Sequence, residues 1–177
     1  MQLRELAALV RQPARRRFDP DRPVASAAIA EIVEAARWTG SARNRQPWRF
    51  VEVRSRTVLR QLSGLGAYAQ FVADAPVALV VASADNGFSD TEYDVGRVTQ
   101  SLVLAATASG LDCCPATLFP QPNVEEAVRI LGLGPGWSPR HVLALGYPAQ
   151  SGEVGTSGTS AVPAGRLSVS ELLTTID

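Results

Sequence analysis

The chain has 177 residues, 46% of them hydrophobic and 19% charged, and its 17 cations and 17 acids cancel to a formal net charge of zero. That size gives one domain (residues 1–177) with a proper core, and no internal repeat is visible. The charge balance argues against general binding to nucleic acid or to a membrane surface. Residues 2–10 read as a short helix and Phe18 to Pro23 as an extended turn. Ser26 is placed to N-cap a helix in which Ile29, Ile32, Val33 and Ala36 recur at helical spacing. Trp38 ends it, a polar loop runs from Gly40 to Pro47, and Arg49 to Val53 alternates as a half-wet strand. Ser55 caps a short helix carrying Val58, Leu59 and Leu62, after which Gly64 and Gly66 predict a mobile segment through Phe71. Pro76 to Ala82 is a continuous apolar run that suits a central strand covered on both faces.

Asp90 to Ser109 is the longest helical stretch, and from Val95 onward its apolar and small residues cover nearly the whole circumference. Such a helix is either the centre of the domain or packed against a second subunit. Gly110 stops it as a C′ glycine. Leu111 to Phe119 returns as a strand ending in a functional loop at Pro115. Val124 to Leu131 is a helix, Gly132 to Pro139 a loop, and His141 to Leu145 a second buried strand. Residues 151–165 are rich in Gly, Ser and Thr and read as a flexible linker. The apolar patch Leu167 to Leu173 marks 166–177 as a docking tail. Helices and strands alternate without strict βαβ units, which gives an α+β class.

Charges interrupt Leu3 to Val10, so no signal-peptide pattern is present, and no apolar run reaches the roughly 20 residues of a membrane span. The only cysteines, Cys113 and Cys114, are adjacent and cannot staple distant parts of the fold. Two buried thiols in a reducing cytosol follow, and a cytoplasmic location is expected. No metal site is expected, because the chain has one histidine and no Cys-x-x-Cys pair. That histidine, His141, opens an apolar strand, and no Gly-x-Ser-x-Gly elbow accompanies it, so a nucleophilic triad is not expected. The glycines at 64 and 66, and at 132, 134 and 136, lack the strand-before, helix-after context of a phosphate loop.

What remains is polar and cationic. Every cation is an arginine, and Arg15, Arg16 and Arg17 form a run in the crowded first third of the chain. Arginine offers forked contacts to phosphate and carboxylate that lysine does not, although GC-rich codon usage would also remove lysine. Between Gly40 and Trp48 the chain concentrates Ser41, Arg43, Asn44, Arg45 and Gln46 in a single turn. Amides there can serve the edge of a flat heteroaromatic ring, and a hydroxyl and backbone N–H groups a phosphate tail.

The run Arg16 to Val24, the segment Ser41-Ala42-Arg43-Asn44-Arg45-Gln46-Pro47-Trp48, Asp94 to Arg97 with Gln100, Gly110 to Pro115, Leu145 to Ala149 and Gly165-Arg166-Leu167 occur in order. Together they resemble the nitroreductase family of FMN-dependent oxidoreductases. The resemblance implies a mixed central sheet flanked by helices, and a homodimer with the long helix buried at its interface. It also implies FMN held between the two chains. Arg16 would meet the flavin N1/O2 edge, with Arg15 and Arg17 beside it. Ser41, Asn44 and Gln46 would reach the ring from the partner subunit. Pro115, Ala116 and Thr117 would lie against one ring face with the Thr117 N–H at N5, and Arg166 would bind the phosphate. No side chain is assigned as acid or base, because the flavin carries the chemistry.

NADPH or NADH would be the electron donor and a nitroaromatic, quinone or similar small aromatic acceptor the second substrate, in a ping-pong cycle. The pattern departs from the family at Gln12, Pro13 and Ala14, where a phosphate-binding cation is usual, so that Arg15 or Arg11 would supply that charge. Ala164 and Ala67 also replace polar residues seen in relatives. Two other readings stay open: an FMN-dependent dehydrogenase of a small metabolite or peptide-derived ring, and a flavin-binding or sequestering protein with little turnover.

Overall fold

A computed structural model describes residues 2–149 and 165–176. The strand predicted from the continuous apolar run organises them: β2 (Val77–Ala84) is buried along its whole length up to Ala84. It pairs with β1 (Trp48–Val53) on one side and with β4 (Trp137–Gly146) on the other, and β3 (Asp112–Thr117) closes the far edge, for an order β1-β2-β4-β3.

Alternate residues of β2 feed two cores. Val77, Leu79 and Val81 face a layer that contains Ile29 and Ile32 of α2 (Ser26–Ala36) and Val95, Val98 and Leu102 of α4 (Thr91–Ala108). Ala78 and Val80 face Leu59 and Leu62 of α3 (Arg56–Ser63), Val72 of a 3₁₀ turn, and Val124 of α5 (Gln121–Leu131). The period of two thus makes a sheet covered by helices on both faces. Two short helices complete the described chain, α1 (Leu3–Val10) and α6 (Val169–Leu172).

The α+β class holds, with one difference: among the described residues every strand pairing is antiparallel, not mixed. The connections from β1 to β2 and from β3 to β4 each return the chain at the end of the sheet where it left, which fixes antiparallel neighbours. No helix of the described residues is long and apolar enough to cross a membrane.

Several local expectations change. Ser26 does not cap α2; Ala25 holds that position, and the Ser26 hydroxyl donates to Glu52 Oε1 at 3.2 Å. Ser55 does cap α3, accepting from the Val58 N–H. The expected mobile segment after Gly64 is tied down. The Phe119 N–H donates to the Leu65 carbonyl at 3.0 Å, Asn123 Nδ2 to the same carbonyl at 3.2 Å, and Ala69 is fully buried. Gly66 is needed for close approach, because a Cβ there would lie 2.5 Å from the Thr117 carbonyl oxygen.

Pro115 sits inside β3 and not in a loop; an edge strand tolerates proline because the missing N–H faces away from the ladder. Gly110, at φ 78°, ends α4 as predicted, with Leu111 N–H bonded to Ala106 O and Gly110 N–H to Thr107 O, a Schellman closure.

The long apolar helix is not covered by its own chain. Its buried side chains are Thr91, Asp94, Val95, Val98, Leu102 and Ala106, while Val103, Leu104 and Ala105 are half-buried and Ala108 is exposed. The tail expected to dock does not dock on this chain either: Leu167, Val169, Leu172, Leu173 and Ile176 are all exposed. The proposed linker at 151–165 lies, but for Gly165, outside the described residues.

Candidate functional site

The polar loop after α2 is held in an unusual shape. Arg43, Asn44 and Gln46 have φ of 52°, 54° and 48°, the left-handed region that non-glycine residues seldom enter. Internal bonds impose it: Asn44 N–H to Ser41 O at 3.0 Å, Arg45 N–H to Ala42 O at 3.1 Å, and Gln46 N–H to Ser41 Oγ at 2.9 Å. Ser41 therefore shapes the loop, and the exposed amides of Asn44 and Gln46 sit side by side, 3.2 Å apart. The loop is bolted to the start of α4. Ala42 N–H donates to Asp94 Oδ2 at 2.8 Å, Arg97 stands 3.6 Å from the same buried carboxylate, and Arg45 pairs with Asp90 while its guanidinium covers the Phe88 ring.

A second group of residues gathers along the open edge of β3. Arg15, Arg16 and Arg17 do not act as one cluster. Arg15 Nε lies 3.8 Å from Asp112 Oδ2, Arg16 stands by the Cys114 thiol and over the Phe71 ring, and Arg17 is exposed. Pro115 has no N–H, so the ladder to β4 must be bonded at Asp112, Cys114 and Ala116; the bond from Leu118 N–H to Arg140 O continues that parity. The N–H groups of Cys113 and Thr117 consequently point off the edge. Ala116, between them, turns its side chain into the core.

Beside this edge is a hollow of about 240 Å³, walled by Gln12, Pro13, Ala14, Gln100, Val103, Thr107, Asp112, Cys113, Pro115 and Arg166. Gln100, Val103 and Thr107 fall on one stripe of α4 with Gly96, where an added Cβ would meet nothing within 4 Å. The hollow thus lies between this stripe and the start of the β3 edge, at Asp112, Cys113 and Pro115.

The two groups do not converge within one chain. The loop grips α4 through Asp94, and Thr39 through Ser101, whose hydroxyls meet at 2.7 Å. The hollow uses Gln100, Val103 and Thr107. Helix geometry puts these sets roughly 140° apart around α4.

Burial sets the charge state of the edge. It pushes the Cys113 thiol up to about 12 and raises Cys114 despite the opposing pull of Arg16, so both thiols are protonated at neutral pH and neither is a nucleophile. Desolvation also raises Asp112, against the pull of Arg15. Its Oδ2 is buried and accepts no hydrogen bond among the described residues. At the other end of β3, His141 lies directly across from Thr117, with Nδ1 3.5 Å from the hydroxyl and Nε2 3.7 Å from Glu92. Periodicity gave no hint of Asp112 as a residue of the hollow's wall, since strand pairing places it there.

Fold and hollow together describe an α+β protein with a concave surface beside a sheet edge, with Arg166 in its wall. The nitroreductase family model matches residues 11–65 and 57–147. A protein of Archaeoglobus fulgidus, named provisionally as an NADH dehydrogenase/NAD(P)H nitroreductase, is 32% identical over 134 residues, covering 72% of this chain and 76% of that protein. A solved nitroreductase-like protein from Streptococcus mutans superposes with a TM-score of 0.80 at 22% identity over 100% of both chains. An FMN-dependent nitroreductase from Clostridium difficile superposes at 0.75 with 18% identity, covering 86% of this chain and 92% of that one. The chain belongs to the nitroreductase family, a family of oxidoreductases.

Proposed function

We propose that this protein is an FMN-dependent oxidoreductase that works as a homodimer, with each cleft completed by the partner's Gly40–Trp48 loop. The observation that carries the reading is the separation of two ligand-ready groups onto different sides of α4, beside helix and tail surfaces that their own chain leaves uncovered. A two-fold pairing across α4 brings the loop of one copy to the cleft of the other, since an isologous interface repeats each contact twice.

The residues present fit the cofactor. The cleft offers arginines at one end, an outward N–H at Thr117, and open space over Gly96 along a stripe of small and neutral side chains. Arg166 and Arg15 would hold the phosphate, Arg16 the N1/O2 edge, the Thr117 N–H the N5 position, and Pro115 and Ala116 one ring face. Ser41, Asn44 and Gln46 of the second copy would close the ring edge. When bound, FMN supplies the redox chemistry, taking two electrons from NADH or NADPH and passing them to a nitroaromatic, quinone or similar small acceptor in alternate half-cycles.

The chain's own part is electrostatic. Arg16 would place positive charge where negative charge builds on reduction. No protonation change of the chain is required, and the neutral Cys113 and Cys114 serve as packing on opposite faces of β3.

The test is the absorption spectrum and sedimentation of the purified protein. A yellow dimer releasing FMN by mass, and bleached anaerobically by NADH or NADPH, is expected. A colourless monomer that does not take up FMN refutes the reading. A yellow dimer that neither nucleotide bleaches moves the protein to the flavin-sequestering alternative.

A further inference from the structure

We propose that His141 is the proton donor of the acceptor half-cycle, passing its proton to a quinone oxygen through the Thr117 hydroxyl and being recharged from solvent beside Glu92. This rests on the FMN reading and goes beyond it: electron transfer alone needs no acid, but a quinone takes up a proton as well. His141 breaks the pattern of its strand. It continues the row of Leu143 and Leu145 toward the α4 layer and lies opposite Val81 of β2, where an apolar side chain would extend the packing. Instead each ring nitrogen has a polar neighbour. Thr117 Oγ1 of β3 is 3.5 Å from Nδ1, and Glu92 Oε2 of α4 is 3.7 Å from Nε2.

Strand parity explains the first contact. With Ala116 and Leu118 bonded to the ladder, Thr117 and His141 form a non-hydrogen-bonded pair, the kind whose side chains stand closer. The same parity turns the Thr117 N–H off the open edge, where N5 is placed in the reading above. Thr117 is exposed at that edge, the His141 side chain is 31% accessible, and Glu92 at 57% stands in solvent. The three groups therefore run from the ligand edge, through a shielded ring, to water. Glu92 is the acid within ion-pair reach of the ring, Val81 and Thr117 carry no charge, and the adjacent Arg140 turns its guanidinium to Gln121.

The step balances. A quinone becoming a hydroquinone gains one hydride, supplied by the reduced cofactor, which is thereby oxidised, and one proton. Thr117 gives its hydroxyl proton to the quinone oxygen and takes the Nδ1 proton, so one O–H bond forms on the product and the Nδ1–H bond breaks. The imidazole is left neutral until solvent returns a proton.

The test compares re-oxidation of the reduced holoenzyme by a benzoquinone with re-oxidation by ferricyanide, which takes electrons and no proton. His141→Gln should slow the quinone by about tenfold or more, within the range general acids contribute, and leave ferricyanide, bleaching by NADH and FMN affinity within about twofold. The wild-type quinone rate should fall as pH rises and the imidazole loses its proton, and the variant's rate should not. Thr117→Val, which keeps the N–H, should lower the ratio of quinone to ferricyanide rates in the same way. A binding readout stands apart from turnover. His141 is the single histidine, so its C2–H resonance in tag-free protein is one assignable line. In flavin-free protein that line should move with Thr117→Val and again on adding FMN.

An unchanged quinone rate, or equal losses for both oxidants, overturns the proposal, as does a histidine line that neither change moves. These results leave the FMN reading standing. A wild type that takes up no FMN overturns both.

Discussion

Substituting Gly146 by alanine tests how the arginine segment is seated. Gly146 ends β4 opposite Asp112, and a Cβ there would lie 2.7 Å from Phe18 Cβ and 2.8 Å from its Cγ and Cδ1. Ordinary carbon contacts are about 3.5–4.0 Å, so Phe18 must retreat by about 1 Å. It has little room to do so. Phe18 is buried against the α3 and α5 core, bridges to Pro148, and is followed by a 2.9 Å bond from Asp19 N–H to Tyr147 O. Because the closest atom is Cβ, a ring rotation cannot relieve the clash, and the backbone carrying Arg15 and Arg16 must shift.

Overpacking of this kind costs about 1–3 kcal/mol, which for a chain of this size lowers the melting temperature by about 2–12 °C. Thermal melts at one fixed protein concentration, with FMN titrations alongside, should show both a loss of stability and weaker flavin binding. A Gly146→Ala protein that melts like wild type refutes the reasoning.

Arg16→Ala should weaken FMN binding by about tenfold or more, the loss expected for a contact to a charged group, and slow bleaching by NAD(P)H; unchanged reduction kinetics would remove Arg16 from its assigned place. Alkaline pH should destabilise the fold, because the unfolded Cys113 thiol ionises near 9 whereas the folded one holds its proton to about 12. Below pH 9 both states are protonated and nothing is lost. Between 9 and 12 only the unfolded state ionises, so stability falls as pH rises, by up to about 4 kcal/mol. Denaturant titrations across that window should give a clearly flatter decline for Cys113→Ala, and an identical decline would contradict the burial of the thiol. Asp94→Ala strips the acceptor from the Ala42 N–H and the partner from Arg97, and should cost about 1–3 kcal/mol in urea unfolding while exposing the 41–46 loop to proteolysis.

Much of the scaffold was legible one residue at a time. The Ser55 cap, the Gly110 stop and the fully buried β2 depend on neighbours within a few positions, where backbone geometry and hydrophobic period decide. The motif order from Arg16 to Leu167 placed the chain in its family. Ser26 was misread because a distant acceptor, Glu52, competes for its hydroxyl. The segment after Gly64 differs from expectation because Gly66 admits the Thr117 carbonyl in place of loosening the chain.

By itself, then, the sequence determined most of the helices and strands, which faces are apolar, and the family, although Trp137 to Pro139, expected as loop, begin β4 by pairing with the end of β2. Only the tertiary structure decided the strand order β1-β2-β4-β3 with β3 at an open edge, the orphaned Asp112 oxygen, and the placement of the polar loop and the cleft on different sides of α4. Periodicity reports whether a side chain is covered. It does not report by what, because strand partners and helix phase are fixed by contacts between residues far apart in the chain.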